Sequence, residues 1–157
     1  MYLKPKDWTT LGYPFERHLP LQALGVIEED ELRCPKMLNA DGERCPIVIK
    51  NGLTTGVRLG RATGIESFVR EYFQDGTQST SIEWAILPYD HKSGVFSTPG
   101  DSGAIIVDGK GCIGGLLIGG ADETKYIDIT YATPFYWILQ RIQAQFPNAY
   151  VHLPPMA

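Results

Sequence analysis

Ser97-Thr98-Pro99-Gly100-Asp101-Ser102-Gly103-Ala104-Ile105-Ile106-Val107 is a turn of small residues that runs directly into an apolar, β-branched strand. On its far side the Asp108-Gly109-Lys110-Gly111 turn leads to a second apolar strand, which ends Leu116-Leu117-Ile118-Gly119-Gly120. The same alternation of turn residues and short β-rich runs extends outward, because 17 Gly and 11 Pro punctuate the chain. The candidate strands are Pro46 to Lys50, Val57 to Ala62, Ile65 to Phe73, Ser79 to Leu87, Ala104 to Asp108, Cys112 to Ile118 and Ile127 to Ala132. About seven strands at this spacing predict an all-β barrel or sandwich. One helix follows, with Thr133 as N-cap, Pro134 at its first position, and Phe135, Ile138, Leu139, Ile142 and Phe146 at helical spacing until Pro147. It is expected to lay an apolar face on the barrel.

The chain has 157 residues, 43% of them hydrophobic and 20% charged, which suits one domain with a single core. Residues 1–45 show no sustained period of two and read as an extended lead-in, 46–147 as barrel and helix, and 148–157 as a tail. Within the lead-in, Ile27 to Leu32 predicts a short helical turn whose acidic run is a solvated face. Thr55-Gly56 and Thr63-Gly64 read as tight turns with glycine at positive φ.

Fourteen basic against 18 acidic residues give a net charge of −4. That balance, without a basic cluster, argues against a nucleic-acid partner. No stretch reaches the roughly 20 apolar residues of a membrane-spanning helix, and Met1-Tyr2-Leu3-Lys4-Pro5-Lys6 lacks the apolar run of a signal peptide. There is no ligand cluster for a metal and no phosphate-binding glycine loop opening a helix, so no cofactor is expected. Cys34, Cys45 and Cys112 fit neither a disulfide framework nor a CxxC zinc site. A two-residue turn at Asp41-Gly42 would set Cys45 opposite Leu38 rather than Cys34. Free buried thiols, and with them a reducing, intracellular compartment, are the expectation, with a Cys34–Cys45 bond as the alternative.

The chemistry-bearing residues lie in the opening stretch. A serine on a tight, glycine-flanked turn can expose its hydroxyl, while backbone N–H groups freed by the turn converge on an oxyanion formed during acyl transfer. Ser102 would be the nucleophile, and the N–H groups of Gly100 and Ser102 the oxyanion hole. Gly, Asp and Ser are also ordinary turn formers, and that reading stands beside the catalytic one. An α/β-hydrolase elbow is excluded because Ala104 stands where its Gly-x-Ser-x-Gly motif needs glycine.

Gly100-Asp101-Ser102-Gly103, the strand and turn after it, the strand ending Ile118-Gly119-Gly120, and a Tyr131-Ala132-Thr133-Pro134 entry into a terminal helix resemble, in that order, the second β-barrel of chymotrypsin-like serine peptidases. Val48 to Gly60 also resembles the opening strands of that barrel in trypsin-like peptidases, especially those of fungi. The resemblance implies a six- to seven-stranded antiparallel barrel with a C-terminal helix, a peptide or protein substrate, and a serine endopeptidase mechanism. It further implies that a His and an Asp come from a first barrel. Such a barrel needs on the order of 80 residues, more than the 45 before the first recognised strand. The expected source of the pair is therefore an upstream or partner lobe. The alternatives are an autonomous triad using His18 with Asp30 or Asp41, and a non-catalytic barrel that binds peptide at a strand edge. His91 and His152 read as loop and tail residues, and Asp101 as a brace for its loop. By order in that family, Phe96 falls at the base of the substrate pocket and Ile118, Gly119 and Gly120 form a wall. A pocket of those residues holds no carboxylate, which leads to an expected preference for medium-sized apolar side chains.

Overall fold

The computed structural model describes residues 23–39, 41–121 and 128–151. In chain order the elements are β1 (Gly25–Val26), α1 (Glu29–Arg33), β2 (Ile47–Gly52), β3 (Gly56–Tyr72), β4 (Gln78–Pro88), β5 (Ile105–Asp108), β6 (Cys112–Gly120), β7 (Thr130–Pro134) and α2 (Phe135–Gln145). Strands pair in the order β6-β5-β2-β3-β4-β7, and β7 pairs back to β6, so six antiparallel strands close a ring. Closure removes the sheet edges that an open sheet would expose. β1 adds in parallel at the start of β6, through Gly25 opposite Cys112 and Val26 opposite Ile113, ahead of the first β7 pair at Gly115. The chain thus forms the all-β barrel with a C-terminal helix that its strand spacing predicts.

Side chains of successive strand residues point to opposite faces, and the two faces build two cores. Val48, Ala62, Trp84, Ile86, Phe96, Ile106, Leu117 and Ala132 form one cluster, to which Ile27 and Leu32 add from the N-terminal segment. Ile47, Ile49, Leu59, Tyr89, Val107 and Ile113 form the other. The unbroken apolar run Ile47-Val48-Ile49 is explained by this, since both faces of β2 are covered.

Several local expectations are corrected. Val57 to Ala62 and Ile65 to Phe73 belong to one strand, β3, whose pairing with β4 shifts register between Ala62 and Glu66. Thr63-Gly64 is therefore a bulge rather than a turn, whereas Gly56 does take positive φ. The last strand runs from Thr130 to Pro134 and includes Thr133, so Pro134 rather than Thr133 is the cap residue of α2. That helix buries no residue completely. Phe135 and Tyr136 in its first turn pack against the two cores, while Trp137 and Ile142 are exposed. In the Asp41-Gly42 turn, the Asn39 side-chain oxygen accepts the N–H groups of Asp41 and Glu43. This widens the loop and pairs Leu38 with Arg44 instead of Cys45. All three cysteines are free thiols, but only Cys45 is buried as expected, Cys34 being exposed and Cys112 half-buried; burial, followed by the nearby Asp108, pushes the Cys112 thiol up.

Candidate active site

The segment 97–104 leaves the barrel wall before β5 begins and crosses the mouth of the β2–β3 hairpin. It is held there by a carboxylate that the protein buries completely. Asp101 is 1% exposed, which by itself costs several kcal/mol for an ionised group. Five donors compensate. Its Oδ1 accepts the backbone N–H groups of Thr54 (2.8 Å) and Thr55 (3.1 Å). Its Oδ2 accepts the Thr55 hydroxyl (2.6 Å), the Thr98 N–H (3.2 Å) and the Lys50 ammonium (2.7 Å). Burial would push the Asp101 carboxyl up, but the Lys50 ammonium, the Thr55 hydroxyl and the two backbone donors outweigh it and hold the group well below the usual carboxylate range.

Lys50 is equally enclosed, with a side chain 0% exposed. Besides Asp101 it donates to the Thr55 hydroxyl and the Gly56 carbonyl oxygen, which occupies all three ammonium protons. The Phe96 ring lies 6.0 Å from the ammonium. This approach of β2 to the loop is possible because residue 52 is glycine. A Cβ there would stand 2.3 Å from Asp101 Oδ1 and 2.5 Å from Lys50 Nζ.

The same hairpin turn orients the peptide before the serine. The Thr54 hydroxyl donates to the Pro99 carbonyl oxygen (3.1 Å). In a trans peptide the C=O and N–H point in opposite directions, so the Gly100 N–H faces away from Thr54. Gly100 has φ +99, and a Cβ on it would meet the Thr54 hydroxyl at 2.4 Å. Among the described residues the N–H groups of Gly103, Asp101 and Ala104 are engaged, the first with the Leu117 carbonyl at 2.7 Å. No bond from the N–H of Gly100 or Ser102 accompanies them.

Ser102 is exposed, and its hydroxyl donates to the Ile118 carbonyl oxygen (3.2 Å). It opens on a cleft of about 520 Å³ lined by Ser97, Thr98, Pro99, Ser102, Gly119, Gly120, Ala121 and Asp128. Gly119 and Gly120 line this cleft. Ile118 instead sits at the register shift between β6 and β7, presenting its carbonyl to Ser102. Phe96 is displaced from its expected place at the pocket's base. Its ring is 1% exposed and belongs to the core, where it packs under Lys50. The carboxylate that the sequence reading did not foresee is Asp128, which lines the cleft and accepts the Phe96 N–H at 3.1 Å.

Of the histidines, His18 and His152 lie outside the described residues, and His91 is exposed in the loop after β4 and does not line the cleft. Asp30 is exposed on α1, and Asp41 lies in the turn after Asn39. Among the described residues there is no group of His, Cys, Asp and Glu that could hold a metal ion. No helix of the described residues is long and apolar enough to cross a membrane. Lys50, Thr54 and Thr55 are the partners of the serine loop that sequence reasoning missed. Their one visible signal was a lysine inside the otherwise apolar run of β2.

No family model matches the chain, and no curated protein matches it. Among solved structures it is similar to a chymotrypsin of Cellulomonas bogoriensis, with 26% identity and a TM-score of 0.43, over 61% of this chain and 46% of that one. It is also similar to an inactive serine-to-alanine mutant of Rv3671c from M. tuberculosis, with 14% identity and a TM-score of 0.45, over 75% of this chain and 59% of that one. The chain spans about half the length of these two proteins.

Proposed function

We propose that this barrel is the nucleophile-bearing lobe of a serine endopeptidase. Ser102 attacks a peptide carbonyl: the Oγ–C bond forms, the hydroxyl proton passes to a base, and the oxyanion is held by the N–H groups of Gly100 and Ser102. Collapse expels the amine with a proton from that base, and water then cleaves the acyl-enzyme. The observation that carries the reading is an exposed serine hydroxyl beside the N–H groups of Gly100 and Ser102, which make no hydrogen bond among the described residues, on a loop clamped by the buried Asp101–Lys50 pair. An extended substrate can lie along β6 past Leu117, the last β6 residue whose backbone is bonded to the backbone of the serine loop. The base and its orienting carboxylate are assigned to an upstream or partner lobe, with His18 as the alternative within the chain.

A second reading, a peptide-binding barrel without catalysis, is favoured by the bond that the Ser102 hydroxyl makes to the Ile118 carbonyl instead of to a base. Acylation separates the two. The chain is incubated with a p-nitrophenyl ester of a short peptide, and the adduct is mapped by mass spectrometry. With the base assigned to another lobe, the peptidase reading expects slow acylation driven by the oxyanion site, one group on Ser102, absent from Ser102→Ala and retained in His18→Ala. Scattered acylation of surface groups, equal in Ser102→Ala, supports the binding module. Loss of the adduct in His18→Ala would move the base into this chain.

A further inference from the structure

We propose that the groove between β4 and α2 is a docking site for an extended, basic segment of a partner protein, which joins the barrel as an added strand beside residues 78–83 and places a Lys or Arg side chain at Glu83. The groove shares no lining residue with the cleft beside Ser102, and its occupancy is independent of whether Ser102 reacts. Its volume, about 670 Å³, falls within the range of ligand sites. The groove exists because β7 leaves β4 early. Thr130 lies opposite Ile86, Tyr131 opposite Ala85 and Ala132 opposite Trp84, and there the pairing stops. Thr133 and Pro134 pair with β6 instead, and α2 starts at Phe135. Pro134 has no N–H with which to continue a ladder. β4 itself extends back to Gln78, so along residues 78–83 the edge that β7 would have covered is unpaired. In an antiparallel pair every second residue turns its N–H and C=O away from the partner strand. Among the described residues no backbone bond outside the pairing with β3 takes up those groups. Exposed edges are commonly blunted by a lysine, a proline or a bulge. Gln78-Ser79-Thr80-Ser81-Ile82-Glu83 carries neither residue and pairs with β3 in unbroken register.

Charge selects the occupant. Three carboxylates, Glu29, Glu66 and Glu83, and one guanidinium, Arg33, line the groove. Arg33 is already committed, to Glu29 at 3.0 Å and to Glu66 at 2.9 Å. Glu83 is left over. It is 3% exposed, and its Oε2 is sheltered from solvent without a hydrogen-bond partner among the described residues. Burying a carboxylate oxygen with no donor is costly, and native proteins seldom leave one so. The terminal torsion of a glutamate is soft, so this oxygen can turn toward a donor that enters the groove. A Lys or Arg on an added strand supplies the donor while the strand's backbone takes up the edge. An acidic segment would add to the uncompensated charge. A second copy of the same edge would bring another Glu83 and no cation. Ile82 on the edge and Trp137 on the α2 wall, both about half exposed, offer apolar surface to the remaining side chains of such a segment.

Three peptides test this on the intact ¹⁵N-labelled chain: acetyl-Val-Lys-Val-Arg-Val-amide, its counterpart with Glu in place of Lys and Arg, and the basic peptide with every backbone amide N-methylated. The basic peptide should bind about tenfold or more tightly than the acidic one, moving the amide signals of residues 78–83 and the indole N–H of Trp137. N-methylation should cost about tenfold or more, because it removes the donors of the added strand. Glu83→Gln keeps the edge and the shape of the side chain, and should bring the basic and acidic peptides within about threefold of each other. Should Glu83→Gln fail to fold, Trp137→Ala, at an exposed position, should weaken the basic peptide about threefold or more. Equal affinity for the basic and acidic peptides, undiminished binding of the N-methylated one, or shifts centred on the Ser102 cleft overturn the proposal. So does a folded Glu83→Gln that keeps the full ratio, or a Trp137→Ala that binds the basic peptide as the native chain does.

Discussion

In the proposed function Ser102 contributes to chemistry rather than to packing, and its surroundings give that proposal a measurable form. Its hydroxyl is exposed and makes one bond to a carbonyl, so Ser102→Ala should shift stability by no more than about 1 kcal/mol while abolishing the mapped acyl adduct. A melting curve and a mass spectrum check both halves. Thr54 belongs to the same scale. Its hydroxyl orients the Pro99–Gly100 peptide, and an oxyanion donor is effective only when aimed at the developing charge. Thr54→Val should slow Ser102 acylation about tenfold or more, with Thr54→Ser restoring the rate; ester affinity should stay unchanged throughout. Equal rates for Val and Ser would remove Thr54 from the machinery. The exposed turn at Ser102 and the positive φ of Gly100 were legible in the sequence because a tight turn concentrates its signal within a few consecutive residues. The contacts of Thr54 and Asp128 with this region were not, since they are made across the fold, Thr54 from the β2–β3 turn and Asp128 from just before β7, and each residue type is ordinary where it stands.

At the scale of elements, the β2–β3 hairpin is the mould in which the serine loop is cast. Asp101→Asn keeps the shape of the side chain but leaves the Lys50 ammonium buried without a counter-ion, a change that costs about 3–5 kcal/mol in comparable buried pairs. The pH dependence has a definite sign. Because the folded protein holds Asp101 below its ordinary value, the ionised group stabilises the fold at every pH above the unfolded-state value of about 3.9. The contribution is lost progressively as pH falls from there toward the folded value. Urea unfolding should show a constant gap between the native chain and Asp101→Asn from neutral pH to about pH 5, narrowing below about pH 4. A gap that widens in acid contradicts the buried ion pair. Gly52→Ala places a methyl against both charges, and its cost should be less than additive with Asp101→Asn in a double-mutant cycle, since the two damage one contact. Fully additive losses would mean that Gly52 matters for some other reason. Most strands were visible as runs of β-branched residues between glycines. The division of β3 at Thr63-Gly64 was not, because a bulge and a turn call on the same residue types, and only pairing with β4 keeps the strand continuous. The docking of α2 was over-read for a related reason. Its apolar spacing is helical, but only its first turn reaches the cores.

At the scale of the whole molecule, six antiparallel strands close on themselves, and the serine loop, the free stretch of β6 and Asp128 meet at one place on that ring. The order of turn signals along the sequence announced the barrel, but closure itself, through β6 with β7, is a long-range pairing that no local pattern encodes. The central claim is that the ring presents a preformed oxyanion site around Ser102. A titration of the ¹⁵N-labelled chain with a peptidyl boronic acid measures it most directly. The account predicts a tetrahedral boron bonded to Ser102 Oγ, with the amide proton signals of Gly100 and Ser102 moving downfield as they donate to the boronate oxygen. A boronate bound with those two amide signals unmoved, or bonded to a residue other than Ser102, would contradict it.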